Sequence, residues 1–101
     1  MSNTFILDGH KVVPTDLDTW SRWFQRANRK VASDHIGDIL ISTVFLGLDH
    51  SYGSGPPLLF ETMIFGGPHD QYQERYTTWE EAEAGHAKAL EIVKEQKEVI
   101  E

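Results

Sequence analysis

The sequence predicts a single α+β domain, an antiparallel sheet of about four strands with two helices in the order ββαββα. Three observations support this prediction. Short β-branched and aromatic runs alternate with glycine- and proline-containing turns, two segments repeat apolar residues at spacings of three and four, and 101 residues suffice for one core. The chain shows no internal repeat and no linker, so residues 1–101 are expected to form one compact domain.

The first two strands are predicted as a hairpin. Phe5–Leu7 and Lys11–Val13 are short, largely apolar runs on either side of Asp8-Gly9. Asp-Gly between such runs is a strong turn signal. Pro14 is expected to end this unit, because proline lacks the N–H that would continue a strand.

The first helix is predicted from Asp16 to Ala32. Thr15 offers an N-cap with Asp18 three residues on, a variant of the capping box. One apolar face follows at helical spacing: Leu17, Trp20, Phe24, Ala27 and Val31. The same helix would carry a basic stripe: Arg22, Arg26, Arg29 and Lys30.

The next segment, "ILISTVFLGL" over residues 39–48, is predicted to be a central strand. Apolar residues occupy both of its alternating faces. A strand of this kind is normally covered on both sides. If both helices lie on one side, the other face needs another cover, and a homodimer is expected to supply it.

A loop over Asp49–Pro57 leads to a predicted strand, Leu58–Phe65. Gly66-Gly67-Pro68 follows and ends this strand. This strand contains Glu61, for which an ion pair with Arg75 or a helix-one arginine is expected if it is buried.

The last helix is predicted to begin at a capping box formed by Thr78 and Glu81. Three small residues on its inner face would let the sheet approach closely: Ala82, Gly85 and Ala89. His86 lies on the same face and is interpreted as a hydrogen-bonded core residue. Residues 95–101 are expected to form a frayed tail.

Charge and composition narrow the classes of function. The net charge of −7 disfavours direct nucleic-acid binding, because an acidic surface repels phosphates. The chain has no cysteine, which fits a reducing cytoplasm and leaves no thiolate for a metal. No signal-like start and no apolar run of about 20 residues occurs, so neither secretion nor a membrane span is expected.

Two His–Asp pairs, Asp49-His50 and His69-Asp70, are the candidates for acid–base or metal chemistry. The eight residues of the intervening strand would place them about 25 Å apart. One metal ion therefore cannot bind both within a subunit, although a dimer could join them. Turn hydrogen bonding is the preferred interpretation. No catalytic residue, metal site or cofactor is predicted.

Seven residues are the candidates for ligand or partner contact: Arg22, Trp23, Arg26, Tyr52, Ser54, His69 and Asp70. The arginines offer positive charge to phosphates or to an acidic protein surface. Trp23 lies off the apolar stripe, and Tyr52 stands in a glycine-rich loop where its ring could stack on a base. A loop this long between strands is often functional.

The segment from Ser42 to Leu90 resembles a family of small proteins encoded by bacteriophages and prophages. The marks of the resemblance are "GLDH", "GPPLLFETMIFGG" and "TWEEAEAGH", with a weaker likeness in "LDGHKVVPTDLDTWSRWF". The resemblance implies a small soluble phage protein acting in the bacterial cytoplasm. It implies no catalytic residue and no cofactor.

The expected function is therefore that of a non-enzymatic phage accessory protein, which binds a host protein or a small nucleotide-like ligand and so blunts a host defence. One alternative is a small metal-dependent hydrolase with a site shared across a dimer; its residues would come from this set: Asp49, His50, Glu61, His69, Asp70 and His86. Another alternative is a virion or assembly component.

Overall fold

The computed structural model describes residues 3–51 and 55–100, with side chains through residue 95. Its elements, in chain order, are β1 (Thr4–Asp8), β2 (Lys11–Thr15), α1 (Leu17–Arg26), β3 (Lys30–Ile36), β4 (Ile39–Phe45), β5 (Phe60–Phe65), β6 (Gln73–Tyr76) and α2 (Trp79–Ile100). The predicted α+β class, with a four-stranded antiparallel sheet and two helices, is confirmed.

The strands form two antiparallel sheets. β1 and β2 make the predicted hairpin, in which Asp8 pairs with Lys11 across a turn that contains Gly9 at a φ of +65°. The larger sheet has the order β3-β4-β5-β6. The hairpin thus lies outside the larger sheet, and β3 and β6, which the sequence analysis did not predict, supply the two edges.

The first helix is shorter than the predicted Asp16–Ala32, because α1 ends at Arg26. The Asn28 side chain then accepts from the Lys30 N–H, and the Arg29 carbonyl accepts from Phe45 in β4. Residues from Lys30 onward pair with β4 and are therefore extended, although their apolar spacing also fits a helix. Val31 does reach the core, but from a bulge in β3.

The basic stripe predicted on helix one is therefore divided. Arg22 and Arg26 remain on α1, whereas Arg29 and Lys30 belong to the turn and to β3. The Arg29 guanidinium lies 3.7 Å from the centre of the Phe24 ring, in a cation–π contact.

The core lies on one face of the larger sheet, under α2. Its fully buried apolar residues come from β4, β5, the residue before β5, and α2: Ile41, Phe45, Leu59, Phe60, Ile64, Ala82, Ala89 and Val93. The hairpin and α1 pack on the same side, where the Trp23 ring meets Phe45 edge-on at 5.7 Å. Both helices thus lie on one side of the sheet, as predicted.

The small residues of α2 allow the close approach that the sequence indicated. Ala82, Gly85 and Ala89 are all buried, and the Tyr76 ring of β6 lies directly against Gly85. α2 continues to Ile100, through most of the segment for which a frayed tail was expected. Within residues 3–51 and 55–100, no helix is long and apolar enough to cross a membrane.

Candidate functional site

The surface of α1 carries an open groove of about 480 Å³. The residues that line it are Ile6, Thr19, Arg22, Trp23, Arg26 and Ala27. Three of the seven predicted contact residues, Arg22, Trp23 and Arg26, therefore meet at one site. We call this site the α1 groove.

The α1 groove is positioned by a cap and an aromatic anchor. Asp16 accepts hydrogen bonds from the backbone N–H and the hydroxyl of Thr19, at 2.8 and 2.9 Å. These bonds lower the pKa of the Asp16 carboxyl and fix the start of α1. The contact of Trp23 with Phe45 then holds the middle of the helix against the sheet.

The two arginines of the groove differ in their partners. Arg22 forms an exposed ion pair with Asp18, one turn earlier. Arg26 lies in the last turn of α1 and has no carboxylate partner among the residues that the structure describes. A second shallow groove, of about 390 Å³, is lined by Arg22, Gln25 and Arg26. An anion can therefore approach the two guanidinium groups from either groove.

Thr19 and Ile6 also line the groove, although neither was predicted from the sequence as a contact residue. Thr19 could have been found, because it precedes Arg22, Trp23 and Arg26 by three, four and seven residues and so lies on their side of the helix. Ile6 comes from β1, and only the docking of the hairpin against α1 brings it to the groove.

Two of the other predicted contact residues, His69 and Asp70, do not line the α1 groove. Tyr52 and Ser54 lie outside the described residues. Asp70 accepts a hydrogen bond from the backbone of Gly66 at 2.7 Å, so it closes the turn after β5. His69 belongs to the same turn.

Asp49 holds the base of the Gly-Pro loop. Its Oδ1 accepts from the backbone N–H groups of Ser51 and Leu58, at 2.8 and 3.0 Å. The two His–Asp pairs therefore lie beyond opposite ends of β5, and both aspartates make the predicted turn hydrogen bonds.

We expect Asp49→Asn to be less stable than the native protein at neutral pH. Hydrogen bonds from Ser51, which has the larger effect, and from Leu58 lower the pKa of this carboxyl below its ordinary 3.8. A lowered folded-state pKa adds stability above the unfolded value, and this stability is lost as the pH falls through the folded value. The stability difference between the two proteins should shrink as the pH falls below 3.8, as measured by urea unfolding. Asp38→Asn, in the exposed turn before β4, is the control.

His86 lies at the centre of a buried polar chain. Its Nε2 donates to Asp34 at 2.8 Å, and its Nδ1 meets the Thr43 hydroxyl at 2.7 Å. Thr43 in turn bonds the Thr62 hydroxyl at 2.5 Å. The order carboxylate–imidazole–hydroxyl is that of hydrolase triads. Neither threonine has exposed surface, however, so no substrate reaches these hydroxyls. These hydrogen bonds stabilise the core, and His86 is a hydrogen-bonded core residue, as predicted.

Glu61 forms the predicted ion pair. Its Oε2 accepts from Arg75 Nε at 3.0 Å and from Gln73 at 2.6 Å. The Glu61 side chain is only 12% exposed, so both donors are needed to satisfy it.

A smaller cleft of about 270 Å³ lies between the hairpin and the start of α2. In its wall the His10 ring stacks flat on Trp79, with 3.8 Å between the ring centres. The stack joins the hairpin turn to α2. Among the residues that the structure describes, no three His, Cys, Asp or Glu side chains are grouped as a metal site.

The α1 groove is thus a cationic and aromatic site. Its described lining residues include no carboxylate and no histidine that could act as a general acid or base. Comparison with known proteins adds no assignment: no protein-family model, no curated protein and no solved structure matches this chain.

Proposed function

We propose that the protein is a non-enzymatic phage or prophage accessory protein that binds an anionic partner in the host cytoplasm. The observation that carries this proposal is the α1 groove, where Arg22 and Arg26 stand beside Trp23 in a protein with a net charge of −7. Guanidinium groups bind phosphate and carboxylate oxygens through paired N–H donors. The phage origin and the cytoplasmic location rest on the sequence resemblance.

A small nucleotide-like ligand is the favoured partner. The groove volume of about 480 Å³ lies in the range typical of small-molecule sites. Arg22 and Arg26 would bind the phosphate oxygens, and Trp23 with Ile6 would supply the apolar wall for a base or sugar. Sequestering such a ligand would deprive a host defence of a signal or a substrate.

An acidic patch on a host protein is the second candidate. It is favoured by the exposure of α1, which has no fully buried residue. Exposed arginines beside a tryptophan, as in the α1 groove, are typical of protein contact sites.

We expect Arg26→Gln to weaken ligand binding by about tenfold or more. A charge-assisted hydrogen bond contributes about 1.5–3 kcal/mol, and each 1.4 kcal/mol is a factor of ten in affinity. Titrating nucleoside mono-, di- and triphosphates, and then an acidic host-protein fraction, by calorimetry measures the effect.

The control for this titration is Lys88→Gln, which removes the same charge from the exposed face of α2. It should leave the affinity unchanged. An equal loss in both variants would mean that only net charge matters. Heatless titrations with every nucleotide and with the host fraction would contradict the proposed function.

A further inference from the structure

The face of the larger sheet that points away from α2 has an apolar centre and polar edges. The central strands β4 and β5 present four apolar side chains there: Leu40, Val44, Met63 and Phe65. The edge strands β3 and β6 present polar ones: Lys30, Ser33, His35, Gln73 and Arg75. Phe65 is 41% exposed. We call this surface the open face. An apolar centre within a polar rim is the anatomy of a protein interface.

The strand register places opposite charges symmetrically about β4. Val44 pairs with Lys30 on one side and with Glu61 on the other. The three side chains therefore stand in one row across the open face, with the cation and the carboxylate each one strand from β4.

We propose that the open face is the interface of a homodimer whose two-fold axis runs along β4. This axis brings Val44 onto Val44 of the second copy and Leu40 onto its Leu40. It also places Lys30 of each copy opposite Glu61 of the other, so that one contact occurs twice.

Both charged groups have bonding capacity for this contact. Arg75 and Gln73 both bond Oε2 of Glu61, and Oε1 has no partner among the described residues. The Lys30 side chain has no carboxylate partner there either. A chain with a net charge of −7 repels a second copy overall, whereas this row is self-complementary.

The area of the open face indicates how stable the dimer can be. About an axis along β4, only β3, β4 and β5 of the two copies face one another, and these three strands cover about 15 Å by 20 Å, or roughly 300 Å² per copy. A standard interface buries about 800 Å² per partner. An interface of this size belongs to the small, transient class, so the dimer should dissociate on dilution.

Sedimentation velocity of the full chain over a range of concentrations tests the proposal. The native protein should shift from one-chain to two-chain mass as its concentration rises. Val44→Glu, which sets two carboxylates against each other on the axis, should stay monomeric. Leu17→Glu makes the same chemical change on α1 and should dimerise like the native protein.

Lys30→Glu gives an independent readout if Val44→Glu does not fold. Because one substitution turns two symmetry-related attractions into repulsions, it should weaken the dimer by roughly tenfold or more. Lys88→Glu, with the same change of charge on α2, should not. A native protein that stays monomeric would overturn the proposal, even if it captures a host protein. Dimerisation that survives both open-face variants, or that Leu17→Glu abolishes equally, would also overturn it.

Discussion

Gly85→Ala is expected to destabilise the protein by about 1–3 kcal/mol, the usual cost of forcing extra atoms into a packed core. At an exposed position in a helix, the same substitution stabilises by about 1 kcal/mol, because alanine is the better helix former. At Gly85 the added β-carbon would overlap the Tyr76 ring, which lies between β6 and α2. Either α2 or the Tyr76 ring must then move.

Urea unfolding of a double-mutant cycle measures this effect. Tyr76→Ala removes the ring, so Gly85→Ala in that background should change from destabilising to neutral or stabilising. Ala87→Gly, on the exposed face of α2, reports the difference in helix propensity alone. It should lower the free energy of unfolding by about 1 kcal/mol. Stabilisation by Gly85→Ala in the native background would show that α2 does not pack this closely on β6.

His86→Ala is the second large effect, with an expected loss of about 2–4 kcal/mol in the free energy of unfolding. The ring joins Asp34 to the hydroxyls of Thr43 and Thr62, which have no exposed surface. Without the ring, Thr43 loses a buried partner and the space beneath α2 becomes a cavity. Thr43 keeps its bond with Thr62, but the acceptor for one buried O–H is lost, and an unsatisfied buried donor costs about 1–3 kcal/mol.

Asp34→Ala should cost much less than His86→Ala, because half of the Asp34 side chain is exposed and water can replace it. His35→Ala removes a ring of the same type from the open face of β3 and, at a concentration at which the chain is monomeric, serves as the matched control. Equal losses for His86→Ala and His35→Ala would mean that the buried chain contributes nothing to stability.

Local signals in the sequence predicted much of the fold. The Asp8-Gly9 hairpin, the β-branched central strand and the T-x-x-E start of α2 each carry their own signal, and the structure contains all three. The end of α1 and the strand β3 carry no such signal. Val31 fits a helical stripe as well as a strand, and only pairing with β4 decides between them.

The short edge strand β6 was missed because polar residues dominate it. Its residues are extended through their pairing with β5, from Phe60 with Tyr76 to Met63 with Gln73. The ion pair between Glu61 and Arg75 was predictable from the need to neutralise a carboxylate in a strand. The hydrogen-bond chain of His86 was predictable only as a class of contact, since its partners come from three separate strands.

Only part of the candidate site could be predicted, because helical spacing is visible in the sequence and tertiary packing is not. Arg22, Trp23 and Arg26 follow from helical spacing alone, and they do line one groove. Arg29 was predicted beside them, but it lies past the end of α1 and contacts Phe24 instead. The contribution of Ile6 depends on tertiary packing, which no local pattern reports.

Native mass spectrometry of the untagged protein, purified from bacterial cytoplasm at low ionic strength, tests the proposed function most directly. The expected result is a chain that carries the added mass of a phosphate-bearing molecule or of an acidic host protein. The Arg22→Gln, Arg26→Gln double variant should be folded and should lack that mass. A native chain with no added mass, or a double variant that retains it, would contradict anion binding by the α1 groove.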